Sequence, residues 1–281
     1  MARTLATIMF ALGILIGTVS DRVTYRPPPR SGEYFVLAGD FHVHAAPGDG
    51  SLTPWTLRDE AARRGLDVIA ITNHNQFLAD RLVPLLSADV DQPIVLQGEE
   101  VTHSDYHLIA VGIDHVVRAD RPVVDVVAAI HSQGGVAIAA HPMRAFPGYT
   151  DAALAAVDGT EVAHPERVER YRRDYIETFA RARRMNPHIA PIGSSDVHNT
   201  PALGDCRTFV FARERSARGV LEAIRAGRTV AADERGRLFG DASLVEQVRA
   251  ARPRGPSDPH RDWRRASVLL TYVGLAGVVL L

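Results

Sequence analysis

Short apolar segments alternate with amphipathic segments through the middle of the chain. The apolar segments predict strands at Phe35–Leu37 with the run to His44, Val68–Thr72, Pro93–Leu96, His107–Gly112, Val136–Ala140, Gly159–Val162, Ile189–Ile192 and Thr208–Phe211. The amphipathic segments predict helices that include Thr56–Arg64, Val123–His131, Glu166–Arg184 and Ala217–Ala226. Strands interleaved with helices indicate βα units and a parallel sheet. About seven such units favour an α/β barrel over an open sheet.

Two further apolar segments lie at the ends of the chain. Leu5–Ser20 and Ala266–Leu281 each contain 16 residues without a charge. A helix of that length covers about 24 Å, against about 30 Å of bilayer hydrocarbon. The alternatives are a cleaved signal peptide for the first segment and a buried core helix for the second. We expect membrane attachment through these segments, because the second has no polar face and follows an arginine-rich linker.

The linkers divide the chain into three parts. Arg26–Gly32 is rich in proline, and Ala251–Arg265 is polar, basic and proline-bearing. We therefore predict an N-terminal apolar segment with its linker at 1–31, a catalytic domain at 32–250, and a basic linker with a membrane segment at 251–281. The arginine distribution favours a cytoplasmic domain. A cleaved signal peptide would instead give an extracytoplasmic domain.

Composition excludes several kinds of chemistry. The 281 residues carry a formal net charge of −1, which gives no electrostatic case for nucleic acid as an obligatory partner. All 32 basic residues are arginine, so no mechanism that needs a lysine amine is open. Cys206 is the single cysteine, which excludes an internal disulfide and a thiolate zinc site. We predict a structural role for it.

Histidines and carboxylates gather at the predicted strand ends. His42 and His44 are two residues apart on one strand, so their side chains point to the same face. The other such residues are His74, Glu99, Glu100, His107, His141, Asp196 and His198. Barrel active sites are built at the carboxyl ends of strands. Imidazole and carboxylate together suit zinc, manganese or iron, so the pattern predicts a metal cluster.

The order of these motifs resembles that of the PHP family, named for polymerase and histidinol phosphatase. The opening motif is a His-x-His pair, a turn with Asp-Gly, a helix, and a strand that ends in Thr-Asp-His-Asn. Here it reads GDFHVHAAPGDGSLTPWTLRDEAARRGLDVIAITNHNQ, and GEE, HLIAVGI, AAHP and SSDVH follow in family order. The resemblance covers roughly Gly39 to Asn199. It implies a distorted (β/α)7 barrel of the PHP type, flanked here by apolar terminal helices.

The resemblance also implies two or three bound divalent ions (Mn, Zn or Fe) and their ligands. The first ion would be held by His42, His44, Glu100 and Asp196, the second by His107 and His141 with Glu100 as the bridge, and the third by Asp49, His74 and His198. Glu100 is preferred to Glu99 because the family spacing is Gly-x-Glu, and Gly98 precedes. His107 is preferred to His103 because it heads the strand HLIAVG.

This chain departs from the family pattern at Asn73, where the family usually has Asp. An asparagine can still form a hydrogen bond to a neighbouring ligand but carries no charge. We therefore expect the third site to bind its ion less tightly or to prefer a different ion.

The function predicted from this pattern is that of a metal-dependent phosphoesterase. A metal-activated water would attack phosphorus in a di- or trinuclear site, with no protein nucleophile. Arg144, in AHPMR, is the predicted catalytic residue that binds phosphate oxygens. The substrate would be a small-molecule phosphate ester or a short nucleotide. We expect structural or solvent-exposed roles for the remaining histidines, His115, His131, His164, His188 and His260.

Two alternatives stay open. The segment LGDCRTFVFARERSARGVLEAIRAGRTVAAD resembles a PHP branch that includes secreted carbaryl-type ester hydrolases. A carboxyl-ester or carbamate hydrolase on the same ions is therefore the alternative enzyme. The alternative of another class is a non-catalytic, membrane-tethered metal-binding domain.

Overall fold

Eleven strands form one mixed sheet that curls into a nearly closed α/β barrel. The computed structural model describes residues 2–20, 25, 27–86, 92–165, 169–199, 202–251, 253, 269 and 272–278. The chain divides into two units, Arg26–Pro256 and a second unit that combines Met1–Tyr25 with Ser257–Leu281. The barrel and its helices make up the first of these units.

The strands are β1 (Arg30–Ser31), β2 (Tyr34–Val43), β3 (Val68–Ile71), β4 (Ile94–His103), β5 (Tyr106–Val111), β6 (Val136–Ala139), β7 (Gly159–Ala163), β8 (Ala190–Gly193), β9 (Arg207–Ala212), β10 (Thr229–Ala232) and β11 (Leu238–Gly240). The helices are α1 (Ala2–Ser20), α2 (Pro54–Arg63), α3 (Val123–Ser132), α4 (Asp151–Ala156), α5 (Glu169–Met185), α6 (Ala217–Arg225) and α7 (Ala242–Ala251), with a 3-10 helix at Asp80–Leu85. Every predicted strand coincides with an observed one. Residues 166–168 of the predicted helix Glu166–Arg184 lie outside the described residues.

The sheet is mixed, whereas the sequence pattern predicted parallel pairing. Its order is β11-β10-β9-β2-β3-β4-β5-β6-β7-β8, with β1 paired to β2. Strands β2, β3 and β4 are parallel, as are β6, β7 and β8. Strand β5 runs antiparallel to both β4 and β6. The reason is the short connection through Ser104 and Asp105, because a parallel crossover needs a dozen or more residues.

Threonine side chains help to close the barrel between β8 and the strands at the other end of the sheet. The Thr208 hydroxyl on β9 accepts from the amide of Gly193 (2.9 Å). The Thr229 hydroxyl on β10 donates to the carbonyl of Pro191 (3.0 Å). Both threonines are fully buried. These contacts bring the loop after β8, which carries Asp196, to the loops after β2 and β3.

Strand β2 is buried on both faces, as expected for a central strand of a covered sheet. Val36 and Ala38 belong to one apolar cluster, and Leu37 and Phe41 belong to another. From Asp40 onward the strand also carries buried polar side chains. The apolar part of β2 therefore fixes the register of the strand in the sheet, and its carboxyl end contributes buried polar side chains.

The prediction of a membrane anchor is wrong. Among the described residues, no helix has both the length and the apolar character needed to cross a bilayer. Helix α1 has 19 residues, but its uncharged run is 16 residues long and covers about 24 Å, against a hydrocarbon layer about 30 Å thick. Of the C-terminal segment Ala266–Leu281, only residues 269 and 272–278 are described.

Candidate metal centre

His42 and His44 stand side by side at the carboxyl end of β2, and both are buried. Because side chains alternate along a strand, residues two apart point into the same pocket. The loop after β8 faces them, and the carbonyl of Val197 in that loop accepts the amide of His44 (3.0 Å). This contact brings Asp196 against the histidine pair, although the two segments are more than 150 residues apart in the chain.

Four side-chain atoms converge at the centre of the pocket. Asp196 Oδ1 lies 3.2 Å from His42 Nε2 and 3.2 Å from His44 Nε2. Glu100 Oε2 lies 3.2 Å from His42 Nε2 and 3.4 Å from His44 Nε2. All four atoms are buried and have no hydrogen-bond partner among the described residues. Buried polar atoms are nearly always paired, so this convergence fits a bound cation.

The second group is formed around the other oxygen of Glu100. Glu100 Oε1 lies 2.7 Å from His107 Nδ1 and 3.2 Å from His141 Nε2. Since Glu100 offers one oxygen to each group, its carboxylate can bridge two ions. The Phe146 ring stacks on the His107 ring, with 5.2 Å between centroids, and forms an apolar wall on that side.

The third group surrounds Asp49, in the loop after β2. Its carboxylate oxygens lie 3.0 Å from His44 Nδ1, 3.4 Å from His74 Nε2 and 3.3 Å from His198 Nε2. His44 and His74 are also near Glu100, so the three groups share side chains. Among the described residues, three sets of candidate ligand atoms lie within 4.8 Å of one another: His42, His44, Glu100 and Asp196; His74, Glu100 and His107; His44, Asp49, His74 and His198. The predicted ligand His141 belongs to none of these sets, although its Nε2 lies 3.2 Å from Glu100 Oε1.

The electrostatics of the pocket favour positive charge. Burial disfavours the charged form of His44, yet Asp196 and Glu100 outweigh burial and raise its pKa to about 9. Burial raises the pKa of Asp196, but the charge of His42 and contacts to His164 and His44 lower it well below its usual range. Asp196 is therefore ionised. These His, Glu and Asp clusters suit a multinuclear site for divalent ions.

Left-handed backbone conformations occur at the site. His141 has φ +25° and Asp196 has φ +49°, values that residues with a Cβ rarely adopt. Such conformations persist where surrounding contacts hold them, and they concentrate at functional sites. Both residues belong to the predicted ligand set.

Comparison with known proteins supports a PHP-like fold. The family model described as PHP-associated matches residues 178–229. A two-domain protein of Bacteroides vulgatus, described as containing a predicted PHP-like metal-dependent phosphoesterase, superposes with a TM-score of 0.65, 24% identity, and coverage of 82% of this chain and 74% of that one. The fold is PHP-like. The resemblance stated from the sequence motifs is thereby confirmed.

Two more distant structures also superpose on this chain. PsfC from Pseudomonas syringae has a TM-score of 0.50 and 16% identity, with 77% of this chain and 96% of that chain covered. The lesion-specific endonuclease PfuEndoQ from Pyrococcus furiosus has a TM-score of 0.50 and 13% identity, with 68% and 56% covered. Among curated proteins, no significant match was found.

Asn73, the departure from the PHP pattern, forms its side-chain hydrogen bonds with backbone groups and not with a candidate ligand among the described residues. Its amide oxygen accepts from the amide of Ala45 (2.7 Å). Its amide nitrogen donates to the carbonyls of Ala45 (3.0 Å) and Pro47 (3.2 Å). Asn73 therefore fastens the loop that carries Asp49. The two donated bonds are ones that a carboxylate could not make.

Arg144 follows His141 in the chain, but its guanidinium does not point freely into the pocket. Its side chain is 71% exposed and is paired with Asp174 (3.2 Å) and with Glu177 on α5. A groove of about 390 Å³ runs past Arg144, Phe146 and Arg181. Binding of a phosphate by Arg144 would require it to exchange these carboxylate partners for the ligand.

Two residues of the site were not among the predicted ligands. Glu161 on β7 is fully buried beside His42, and His164, just after β7, lies 3.5 Å from Asp196 Oδ2 through its Nε2. The signal for His164 was its position directly after a predicted strand, which it shares with other site histidines. The signal for Glu161 was a charged residue inside a buried strand.

Four other described histidines, which were not predicted as ligands, belong to none of the three groups. His115 is 71% exposed and pairs with Asp114, and His131 pairs with Asp158 (2.8 Å). His103 stacks on Tyr106. His188 is exposed in the loop before β8. His260 lies outside the described residues.

Proposed function

We propose that the protein is a metal-dependent phosphoesterase that hydrolyses small phosphate esters or short nucleotides. The observation that carries this proposal is the convergence of His42 Nε2, His44 Nε2, Glu100 Oε2 and Asp196 Oδ1 in a buried space without hydrogen-bond partners. Such a set of atoms is costly to bury unless a cation is bound. The adjacent groups around Glu100 and Asp49 would hold a second and a third ion.

Each ligand of the proposed metal centre would have a separate role. Bound divalent ions would supply Lewis-acid stabilisation of phosphoryl charge and a water that is deprotonated near neutral pH. Glu100 would offer one oxygen to each of two ion sites, because Oε2 lies beside His42 and Oε1 beside His107. Asp196 would orient the attacking water, since its Oδ1 faces the histidine pair and its side chain is 24% exposed.

Phosphate esters are the proposed substrate class because three adjacent cation sites match the three non-bridging oxygens of a terminal phosphate. The Bacteroides vulgatus protein of similar fold is described as containing a predicted PHP-like metal-dependent phosphoesterase. Arg144 is the proposed second contact to phosphate, since its planar fork suits phosphate oxygens. The groove beside Phe146 would receive the leaving group.

The test is hydrolysis of a chromogenic aryl phosphate by the full chain with added Mn²⁺, compared with hydrolysis of the matching aryl carboxylate ester. We expect phosphate release from the wild type and its loss in His42→Ala and Asp196→Ala. Turnover of the carboxylate ester alone would indicate the carboxyl-ester or carbamate hydrolase. Activity retained in both variants would contradict the proposed site.

A further inference from the structure

Strand β7 supplies none of the nine predicted ligands, yet Glu161 at its centre is fully buried against the metal centre. One carboxylate oxygen, Oε1, lies 3.0 Å from His42 Nδ1. The other, Oε2, accepts a hydrogen bond from the backbone amide of His141 (2.6 Å). Glu161 therefore contacts a predicted ligand of the first ion and a predicted ligand of the second.

The contact with His42 decides which ring nitrogen is free to bind an ion. A carboxylate can only accept, so it keeps the proton on Nδ1. The lone pair is then on Nε2, the ring atom that faces Glu100 and Asp196 without a hydrogen-bond partner. A carboxylate that orients a histidine through its second nitrogen is a recurring feature of metal sites.

The contact with His141 acts on the backbone. His141 has φ +25°, a conformation that needs support from its surroundings. Its amide is held by Glu161, and this conformation turns its ring so that Nε2 lies 3.2 Å from Glu100 Oε1. Loss of the carboxylate would leave the amide without this acceptor.

We propose that Glu161 is a positioning residue that couples the two ion sites: one oxygen fixes the tautomer of His42, and the other fixes the backbone of His141. This inference rests on the proposed metal centre. It adds a residue that would not touch an ion, yet would set the affinity at two sites together.

The substitution Glu161→Gln tests the coupling with little change of volume. If the amide nitrogen faces His42, it donates to Nδ1 and moves the ring proton to Nε2, where it blocks the ion. If the amide nitrogen faces His141 instead, two donors oppose each other. The first orientation keeps both hydrogen bonds but gives His42 the wrong tautomer, and the second loses the bond from the His141 amide. We expect Co²⁺ affinity to fall about 10- to 100-fold, and the visible absorption of the Co²⁺ form to change.

The matched control is Asp158→Asn. Asp158 precedes β7, and its Oδ2 also accepts from a backbone amide (Ala137, 2.7 Å) and pairs with a histidine (His131, 2.8 Å). It lies at the opposite end of the strand from the metal centre. We expect this variant to keep the Co²⁺ affinity and spectrum of the wild type. Denaturant unfolding of each metal-free protein would report any general loss of structure.

The outcomes separate the two proposals. If the wild-type full chain binds no Co²⁺, the metal centre itself is refuted. If the wild type binds Co²⁺ and Glu161→Gln binds it within twofold, with the same spectrum, only the role of Glu161 is refuted. Equal weakening by Glu161→Gln and Asp158→Asn would also refute that role, because the effect would then be a general one of β7.

Discussion

Asp40 Oδ1 accepts a hydrogen bond from the backbone amide of Ser195 at 3.0 Å, which joins β2 to the loop that carries Asp196. Asp40 Oδ2 accepts from the amide of Gly204 at 2.9 Å. Burial raises the pKa of Asp40 to about 6, even though the bonds from these backbone amides lower it. This buried carboxylate therefore connects the His42 strand to the segment that provides the opposing carboxylate.

We expect Asp40→Ala to destabilise the fold by about 2 to 6 kcal/mol, because two buried amides would each lose their acceptor at about 1 to 3 kcal/mol. The measurement is the free energy of unfolding in denaturant. Asp114→Ala is the control, since Asp114 is exposed and pairs only with its neighbour His115. A change of less than about 0.5 kcal/mol in Asp40→Ala would contradict this role.

Asn73→Asp would restore the residue usual in the PHP pattern, yet we expect it to be unfavourable here. The carboxylate could not donate to the carbonyls of Ala45 and Pro47, and it would bring a buried negative charge next to them. We expect a loss of about 1 to 3 kcal/mol in unfolding free energy and weaker binding at the Asp49 group. Asn186→Asp is the comparison, because the Asn186 side chain also donates to a backbone carbonyl (Val157, 3.3 Å) but is not part of the metal centre. Unchanged or increased stability in Asn73→Asp would show that the hydrogen bonds from Asn73 to the carbonyls of Ala45 and Pro47 are not needed.

The sequence was most informative where geometry follows from periodicity. His42 and His44 could be assigned to one face because strand side chains alternate, and Asp196 and His198 followed from their position after a strand. Strand β5 could not be predicted as antiparallel, because a strand's direction depends on the length of its connection. Asp40 and Glu161 were missed because a buried carboxylate is identified by its partners, which lie far away in the chain.

The effect of Asn73 could not be predicted either, because it depends on partners that are distant in the chain. Its identity differed visibly from the family pattern, but its consequence depended on which backbone groups it meets. The sequence suggested an effect on a neighbouring ligand. The contacts instead assign it to the loop that carries Asp49, so that any effect on the third ion would act through the position of that loop.

Asp80 provides a test of pH dependence away from the metal ligands. It is fully buried, Oδ1 accepts from the amide of Gly98 (2.9 Å), and Oδ2 has no partner among the described residues. Burial raises its pKa from 3.8 to about 8. The native state thus retains a proton that the unfolded chain releases, and the contribution of this group to stability falls as the pH rises from about 4 to 8.

Asp80→Asn removes the titrating group and keeps the acceptor for Gly98. We expect similar stabilities of variant and wild type near pH 4, and a variant that is more stable by at least about 1 kcal/mol at pH 9. Denaturant unfolding of both proteins across this pH range, under the same metal conditions, measures the difference. A difference that does not change with pH would argue against a buried, protonated Asp80.

Arg144→Ala separates a phosphate contact from a surface ion pair. Exposed ion pairs contribute about 0 to 1 kcal/mol, so we expect little change in stability. If Arg144 binds phosphate, KM for an aryl phosphate should rise about tenfold or more, corresponding to a lost charge-assisted hydrogen bond. Arg218→Ala is the control, since Arg218 is an exposed arginine on α6 paired with Glu214. An unchanged KM would leave Arg144 as part of the surface network with Asp174 and Glu177.

The number of divalent ions that the full chain binds is the most direct test of the proposed metal centre. The chain would be stripped with a chelator, loaded with Mn²⁺ or Zn²⁺, freed of excess ion and analysed for metal, with folding checked by circular dichroism. We expect about two to three ions per wild-type chain and at least about one fewer in Asp196→Ala. A folded wild-type chain that retains less than about one ion would contradict it.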